Sequence, residues 1–427
     1  MYFVYSIILS IGFLLMLPMF LLRRVKYAAG FKQRLGNYPE FKKDGRKVIW
    51  LHCVSVGETN AARPLVGKLR DSFPDHRLVI STTTKTGQAL AKKVFAGSAD
   101  AVFYFPFDWK FSVRKALENY KPSLVLLMET EIWPRFIREA KTSGAKVAIV
   151  NGRLSEKSFR RYSKVRAFIF RVLGEVDQAL MQGKYDADRI VALGLDQHKA
   201  AVTGNLKFDH SIEAAESELT EEFRRRFGID GKRPLIVAAS THEPEEQWIL
   251  ESLDGIGEDY RLLIAPRHPD RFEGVSKLLE SRNQQYVRRS NSLSGADHNA
   301  DVILFDSIGE LRSIFPLADI VFMGGSLIPH GGQSILEPAA AGKAIITGPY
   351  THNFETVVKE FTAHHALIQT PEVPRDFQNP ERLCEEFLAL LSNPTLRQTL
   401  GENAKSVIET NRGATDKTIA QLHLLFK

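Results

Sequence analysis

The sequence predicts an α/β protein of two domains, each a doubly wound parallel sheet, carried behind an N-terminal membrane anchor helix. Three observations lead there. The chain has 427 residues, too many for one ordinary core. From Lys47 onward, short and nearly continuous apolar runs alternate with helical stretches. Parallel strands covered by helices on both faces read this way. The alternation stops near residues 204–212, a Glu-rich polar helix follows, and the alternation restarts. The expected division is an anchor at 1–22, a first domain at 23–205 and a second at 206–427. The two domains are expected to face each other across a cleft, with ligands at the carboxyl ends of the strands.

The anchor comes first. Met1 to Leu22 carries no charge. As a helix it measures roughly 33 Å, enough to cross a hydrocarbon core. Arg23, Arg24, Lys26, Lys32 and Arg34 follow, which by the positive-inside rule keeps the bulk of the chain cytoplasmic. A cleaved signal peptide needs its charges before the apolar run and a small-residue cleavage site after it, and neither is present. Pro18, Tyr2 and Tyr5 leave open a helix that lies in the interface without spanning.

In the first half, "VIWLHCVSV", "HRLVISTTT", "AVFYFPF", "PSLVLLMET", "KVAIVNG" and "QALMQG" read as strands. In the second half they are "RPLIVAAST", "YRLLIAPRH", "DVILFDS", "DIVFMGGS" and "KAIITGP". Hydrophobic content of 44% and charged content of 25% place the chain in the globular range. Its net charge of +7 suits an anionic partner such as a membrane surface, a nucleotide or a phosphorylated substrate. The charge is too diffuse to argue for nucleic acid. Cys53 and Cys384 are far apart and form no CxxC or Cys/His cluster, so no disulfide framework or zinc site follows.

Most chemistry-bearing residues fall at strand ends. In "LHCVSVGETN" the strand is expected to end at Gly57 and a helix to begin near Thr59, leaving Glu58 at the turn. Glu58 is either a helix-start carboxylate favoured by the dipole or a base at a cleft mouth. In "LVLLMETEIWP", Glu129 and Glu131 leave a fully apolar strand, where burial lifts a carboxyl toward a useful acid/base range. The alternative there is an ion pair with Arg135 or Arg153. Residues 151–173 alternate Lys157, Arg160, Arg161, Lys164 and Arg166 with Phe159, Tyr162, Phe168 and Phe170. This is a basic amphipathic helix for a membrane surface or lipid phosphates, or a solvated face over a core stripe. In "LIAPRHPDRF", Pro266 and Pro269 hold Arg267 and His268 in an extended loop, where Arg267 offers a fork to phosphate or joins a surface ion pair. Ile308, Gly309 and Glu310 start a helix whose amides suit an anion. Gly324/Gly325 and Gly331/Gly332 bracket a loop that lets backbone approach a ligand. Ser334 is placed to cap the next helix, and Glu337, one turn in, to hold a ribose diol.

These last residues, Glu337-Pro338 to Gly342 after a Gly-Gly loop, resemble the nucleotide-sugar site of GT-B glycosyltransferases. The wider set is "SVGE" at 55–58, "METEIWP" at 128–134, "VTGNLKFD" at 202–209, "STHEPEE" at 240–246, "PRHPDRF" at 266–272, "GEL" at 309–311 and "GGSLIPHGGQSILEPAAAGK" at 324–343. It resembles the 3-deoxy-D-manno-octulosonic acid (Kdo) transferases of Gram-negative bacteria over nearly the whole chain. The resemblance implies a GT-B fold and transfer of Kdo from CMP-Kdo to a lipid A precursor (lipid IVA) at the cytoplasmic face of the inner membrane. The implied reaction is inverting and uses neither metal nor cofactor; no DxD-like pair stands at a strand end. It further implies Glu58 as general base, with Glu129 and Lys207 in supporting roles. It places CMP near Arg267, His268, Ile308, Gly309 and Glu310, and across Ser334, Ile335, Leu336 and Glu337. The chain departs from the family pattern where Gln333, Ser334 and Ile335 stand for the usual His-Asn-Pro, and where Ser307-Ile308 stands for Thr-Met. Two rivals are a nucleotide-sugar 2-epimerase-like enzyme and a membrane-anchored binding protein on a degenerate transferase fold. The first has no use for an anchor, and the second is expected to have lost Glu58, Arg267 or Glu337.

Overall fold

The computed structural model describes residues 1–22, 29–42, 44–210, 217–372 and 379–426. Arg23, Arg24 and Lys26 of the expected basic flank lie outside the described residues. The chain forms two compact units, Met1–His210 with Arg412–Lys427, and Ser211–Asn411.

The first unit holds seven parallel strands: β1 Lys47–Cys53, β2 His76–Thr82, β3 Ala101–Tyr104, β4 Leu124–Met128, β5 Lys146–Gly152, β6 Gln178–Met181 and β7 Ala200–Val202. Their order is β3-β2-β1-β4-β5-β6-β7. Within β1, Val48 and Trp50 join one core while Ile49, Leu51 and Cys53 join another. Successive side chains point to opposite faces, so both faces are buried and the strand reads apolar throughout. The chain winds outward from β1 in one direction, then returns to start β4 on its other side. The switch point therefore lies between β1 and β4, where open α/β sheets place ligands.

The second unit repeats the plan with β8 Leu235–Thr241, β9 Arg261–Pro266, β10 Tyr286–Arg288, β11 Val302–Leu304, β12 Ile320–Met323, β13 Ala344–Thr347 and β14 Ile368–Gln369. Their order is β10-β11-β9-β8-β12-β13-β14, with the switch between β8 and β12. β7, β10 and β14 are two- or three-residue strands on partly exposed ground. They are too short for a sequence reading to detect.

Four expectations are corrected. Helix α1 forms at Tyr2–Leu22, but its inner side is tied to the first unit by polar groups. Tyr5 Oη donates to Asp108 Oδ2 at 2.8 Å, Arg135 donates to Tyr2 O and Ser6 Oγ at 3.0 Å each, and Trp109 Nε1 donates to Ser10 Oγ at 3.1 Å. Among the described residues no helix is long and apolar enough to cross a membrane. Second, β1 ends at Cys53 rather than Gly57, and α2 runs Val56–Ala61 with Ser55 as its cap. Third, the basic stretch is two helices, α3 Glu156–Ser163 and α4 Arg166–Leu173, broken at Lys164-Val165. Fourth, the last helix, α5 Ala414–Leu424, returns to the first unit, where Ile419 and Leu422 pack with Leu65 and Leu69. Asp209 fixes that return by accepting from Gly413 N and Thr415 N at 2.8 and 2.6 Å.

Candidate active site

In the first unit, the site is built where β1 and β4 end side by side. Glu58 sits in the first turn of α2 and is only 6% exposed. Its carboxylate accepts from Val54 N at 2.7 Å and from Ser55 Oγ at 3.2 Å. Burial, and then the neighbouring charge of Glu129, push it up to about 8. A helix-start carboxylate serving only the dipole stands in water and keeps its ordinary affinity for protons. Glu58 is instead buried beside like charge, which holds its proton more tightly than an ordinary carboxyl does.

Glu129 follows β4 with φ of 54°, a left-handed backbone uncommon outside glycine. The turn is held by Glu129 N donating to Val150 O at 2.9 Å and Arg153 N donating to Thr130 Oγ1 at 2.9 Å. Its carboxylate faces Lys207 Nζ at 3.9 Å; Arg135 instead reaches Glu139 at 3.8 Å. Glu131 is raised by burial and then by Glu129.

Lys207 opens a four-residue helix, Lys207–His210. Buried Asn151 accepts from Leu206 N at 3.0 Å, and Asn205 Oδ1 accepts from Lys207 N at 3.0 Å. Three carboxylates and one ammonium thus meet in one unit, brought from β1, β4 and the residues after β7. Replacing Glu129 by Gln removes the like charge that lifts Glu58. The rising limb of kcat/KM against pH then moves to lower pH by a measurable fraction of a unit. An unmoved limb would show that Glu129 does not set Glu58.

In the second unit, Arg267 and His268 are exposed just past β9, with Arg267 N donating to Thr241 O at 3.0 Å. Ile308 is 62% exposed and Gly309 has φ of 90°. Glu310 caps a short 3-10 turn, Leu311–Ser313, rather than starting an α-helix. Its carboxylate accepts from Arg289 through two bonds of 3.1 Å. Ser334 is not the cap of the next helix, Leu336–Ala340. Ile335 occupies that position, and Ser334 Oγ accepts only a long 3.4 Å bond from Leu336 N. Ile335 and Leu336 are buried, so their backbone rather than their side chains is available. Glu337 is raised by burial, with Arg312 opposing.

Sequence reasoning assigned no role to three residues around β8 and β12. His242 packs against His330 with ring centroids 4.2 Å apart and planes tilted by 40°, and its ring lies 5.5 Å from that of His268. Burial, then His330 and His268, hold His242 down to about 4. Glu245 is completely buried beneath them. A Cβ on Gly324 would come within 2.6 Å of Ser240 O, so only glycine lets the β12 loop pass the end of β8. The signal for Glu245 was its place in "THEPEE", directly after a buried strand. Among the described residues, no group of three or more His, Cys, Asp or Glu is arranged to hold a metal ion.

Two seven-stranded parallel α/β units, with carboxylates at the switch point of one and a glycine-bracketed loop at that of the other, resemble GT-B glycosyltransferases in fold. The solved structure of a glycosyltransferase from Rickettsia africae is 13% identical with a TM-score of 0.56, covering 90% of this chain and 98% of that one. The UDP-GlcNAc 2-epimerase of Neisseria meningitidis is 13% identical with a TM-score of 0.57, covering 89% and 99%. Both likenesses are of fold. Residues 29–210 match the family described as 3-deoxy-D-manno-octulosonic-acid transferase (kdotransferase). The 3-deoxy-D-manno-octulosonic acid transferase of Haemophilus influenzae is 34% identical over 400 residues, 92% of this chain and 91% of the relative. That of Bordetella pertussis is 31% identical over 386 residues, 88% and 86%. The chain belongs to the 3-deoxy-D-manno-octulosonic acid transferase family of glycosyltransferases.

Proposed function

We propose that the chain transfers Kdo from CMP-Kdo to a lipid A precursor, lipid IVA, in lipopolysaccharide core biosynthesis, with Glu58 as general base. The observation that carries the base assignment is a buried carboxyl pushed up to about 8 at the switch point of the first unit. An acceptor hydroxyl oxygen attacks the anomeric carbon of Kdo, and its proton passes to Glu58. The bond from that carbon to the CMP phosphate oxygen breaks, and the electron pair leaves with CMP. Attack from the face opposite the leaving group inverts the centre. Lys207 and the Lys207–Glu129 pair balance charge as the hydroxyl loses its proton. CMP is held by the second unit, its phosphate by Arg267 and His268, its remaining groups by the backbone at Ile308–Glu310 and Ser334–Leu336 and by Glu337. Positive charge from the protein replaces a divalent ion in this scheme. The test is transfer to tetraacylated lipid IVA in EDTA, with CMP-Kdo generated in situ and products read by mass. Kdo-sized mass increments support the proposal, and an unmodified acceptor with folded, CMP-binding protein opposes it.

We place the enzyme on the cytoplasmic side of the inner membrane, with α1 lying on the surface. The support is the outer side of α1, where Phe3, Val4, Ile8, Leu14 and Leu15 are 73%, 55%, 64%, 63% and 77% exposed. Its inner neighbour is α4, whose Phe168 packs on Tyr2 and Tyr5 at 5.6 Å. Basic α3 directly precedes α4 in the chain, and apolar burial plus attraction to anionic lipid act together in such elements. Leu14→Glu with Leu15→Glu lowers partition onto anionic phospholipid vesicles by about tenfold or more and leaves CMP affinity unchanged. Equal partition of the double variant would remove α1 from the membrane contact.

A further inference from the structure

The switch point of the second unit is held together by one buried carboxylate. Glu245 lies in the first turn of the helix Glu245–Leu253 and is 0% exposed. Its Oε2 accepts from His242 N at 3.0 Å and from Gly325 N at 2.7 Å. Its Oε1 accepts from Ser326 N at 3.0 Å and from Leu327 N at 2.9 Å. Four backbone donors from two loops thus converge on two oxygens. One loop follows β8 and carries His242; the other follows β12 and carries Gly325. Gly332 N donates to Gly325 O at 2.7 Å, which carries the restraint on to the second glycine pair. The packed rings of His242 and His330 lie close by: a Cβ on Gly325 would be 3.4 Å from one and 3.5 Å from the other.

We infer that Glu245 is a positioning residue for the donor, fixing the His242–His330 pair and the Gly324–Gly332 loop in the arrangement that receives the nucleotide beside Arg267 and His268. This rests on the reading that the second unit binds CMP-Kdo. The carboxylate has two properties no other side chain combines: it only accepts, and both its oxygens take two bonds. Glutamine keeps the shape but turns an NH2 toward two N–H groups, so at least one loop must swing away. Aspartate keeps the charge but is one methylene too short to reach both loops. Neighbouring Glu246 is the natural control. It is also buried and on the same helix, but it accepts from Thr241 Oγ1 and Arg271, not from the glycine loop.

The experiment measures CMP affinity by calorimetry, and KM for each substrate with kcat, in full-length wild type, Glu245→Gln and Glu246→Gln. The expected result for Glu245→Gln is a Kd for CMP and a KM for CMP-Kdo raised about tenfold or more, with KM for the acceptor unchanged. Glu246→Gln lowers thermal stability and leaves CMP affinity within about twofold. Unchanged CMP affinity in a folded Glu245→Gln, or equal losses in both variants, overturns the inference and leaves the donor assignment standing. Failure of wild type to bind CMP overturns both. If Glu245→Gln does not fold, hydrogen exchange on wild type without ligand decides. The amides of Gly325, Ser326 and Leu327 are then expected to be as protected as those of β12, and fast exchange there overturns the inference.

Discussion

Glu58→Gln is expected to abolish transfer while making the protein more resistant to unfolding at alkaline pH. General-base removal typically costs about 10²–10⁴-fold in rate, and the loss falls in kcat with CMP affinity kept. The substituted glutamine loses little structurally, since its amide oxygen accepts from Val54 N and its NH2 donates to Ser55 Oγ, the two partners of the native carboxylate. The stability effect follows from linkage. Glu58 is raised from an unfolded value near 4.5 to about 8 when folded, so its contribution is fully present below the lower value. That contribution is lost progressively as pH rises from about 4.5 through about 8, where the unfolded chain ionises this carboxyl and the folded one still holds its proton. A glutamine never ionises, so wild type loses stability through this range and the variant does not. Thermal melts at mildly acidic and alkaline pH read the difference. A variant that is inactive and equally destabilised at both pH values would point to a structural defect instead of a lost base.

Lys207→Met is expected to lower kcat by about 10²–10³-fold and to shift the rising limb of the pH profile upward. Lys207 Nζ lies 3.9 Å from Glu129, whose charge in turn lifts Glu58. Without the ammonium, Glu129 acts on Glu58 uncompensated, and the base is protonated over a wider range. This shift is opposite in sign to that of Glu129→Gln, so the two variants bracket the wild type. Methionine keeps the length and apolar stem, and Asn151 and Asn205 still hold the backbone there. Two limbs moving in the same direction would contradict the chain of charges from Lys207 through Glu129 to Glu58.

Much of this arrangement is legible in the sequence because buried parallel strands announce themselves. β1, β4 and β9 are buried, largely apolar runs, and Glu58, Glu129 and Arg267 follow them closely. What is not legible depends on contacts distant in the chain. Helix α1 reads as lipid-surrounded because nothing local shows that Asp108, Trp109 and Arg135 receive its tyrosines and serines. The return of α5 to the first unit rests on Asp209, which lies 204 and 206 residues before its two partners. Ser334 looks like a helix cap by type, but the turn places Ile335 there. Glu245 carries no distinguishing local signal beyond its place after a buried strand, since three of its four partners come from the loop after β12.

In the proposed reaction a buried, charge-lifted Glu58 takes the proton from the acceptor. The most direct measurement is kcat/KM of the wild type for Kdo transfer against pH, in EDTA and with lipid IVA as acceptor. The expected profile is a single rising limb of unit slope that levels off above an apparent value of about 8. A profile flat across the neutral and mildly alkaline range, or one already level in mild acid, would contradict it.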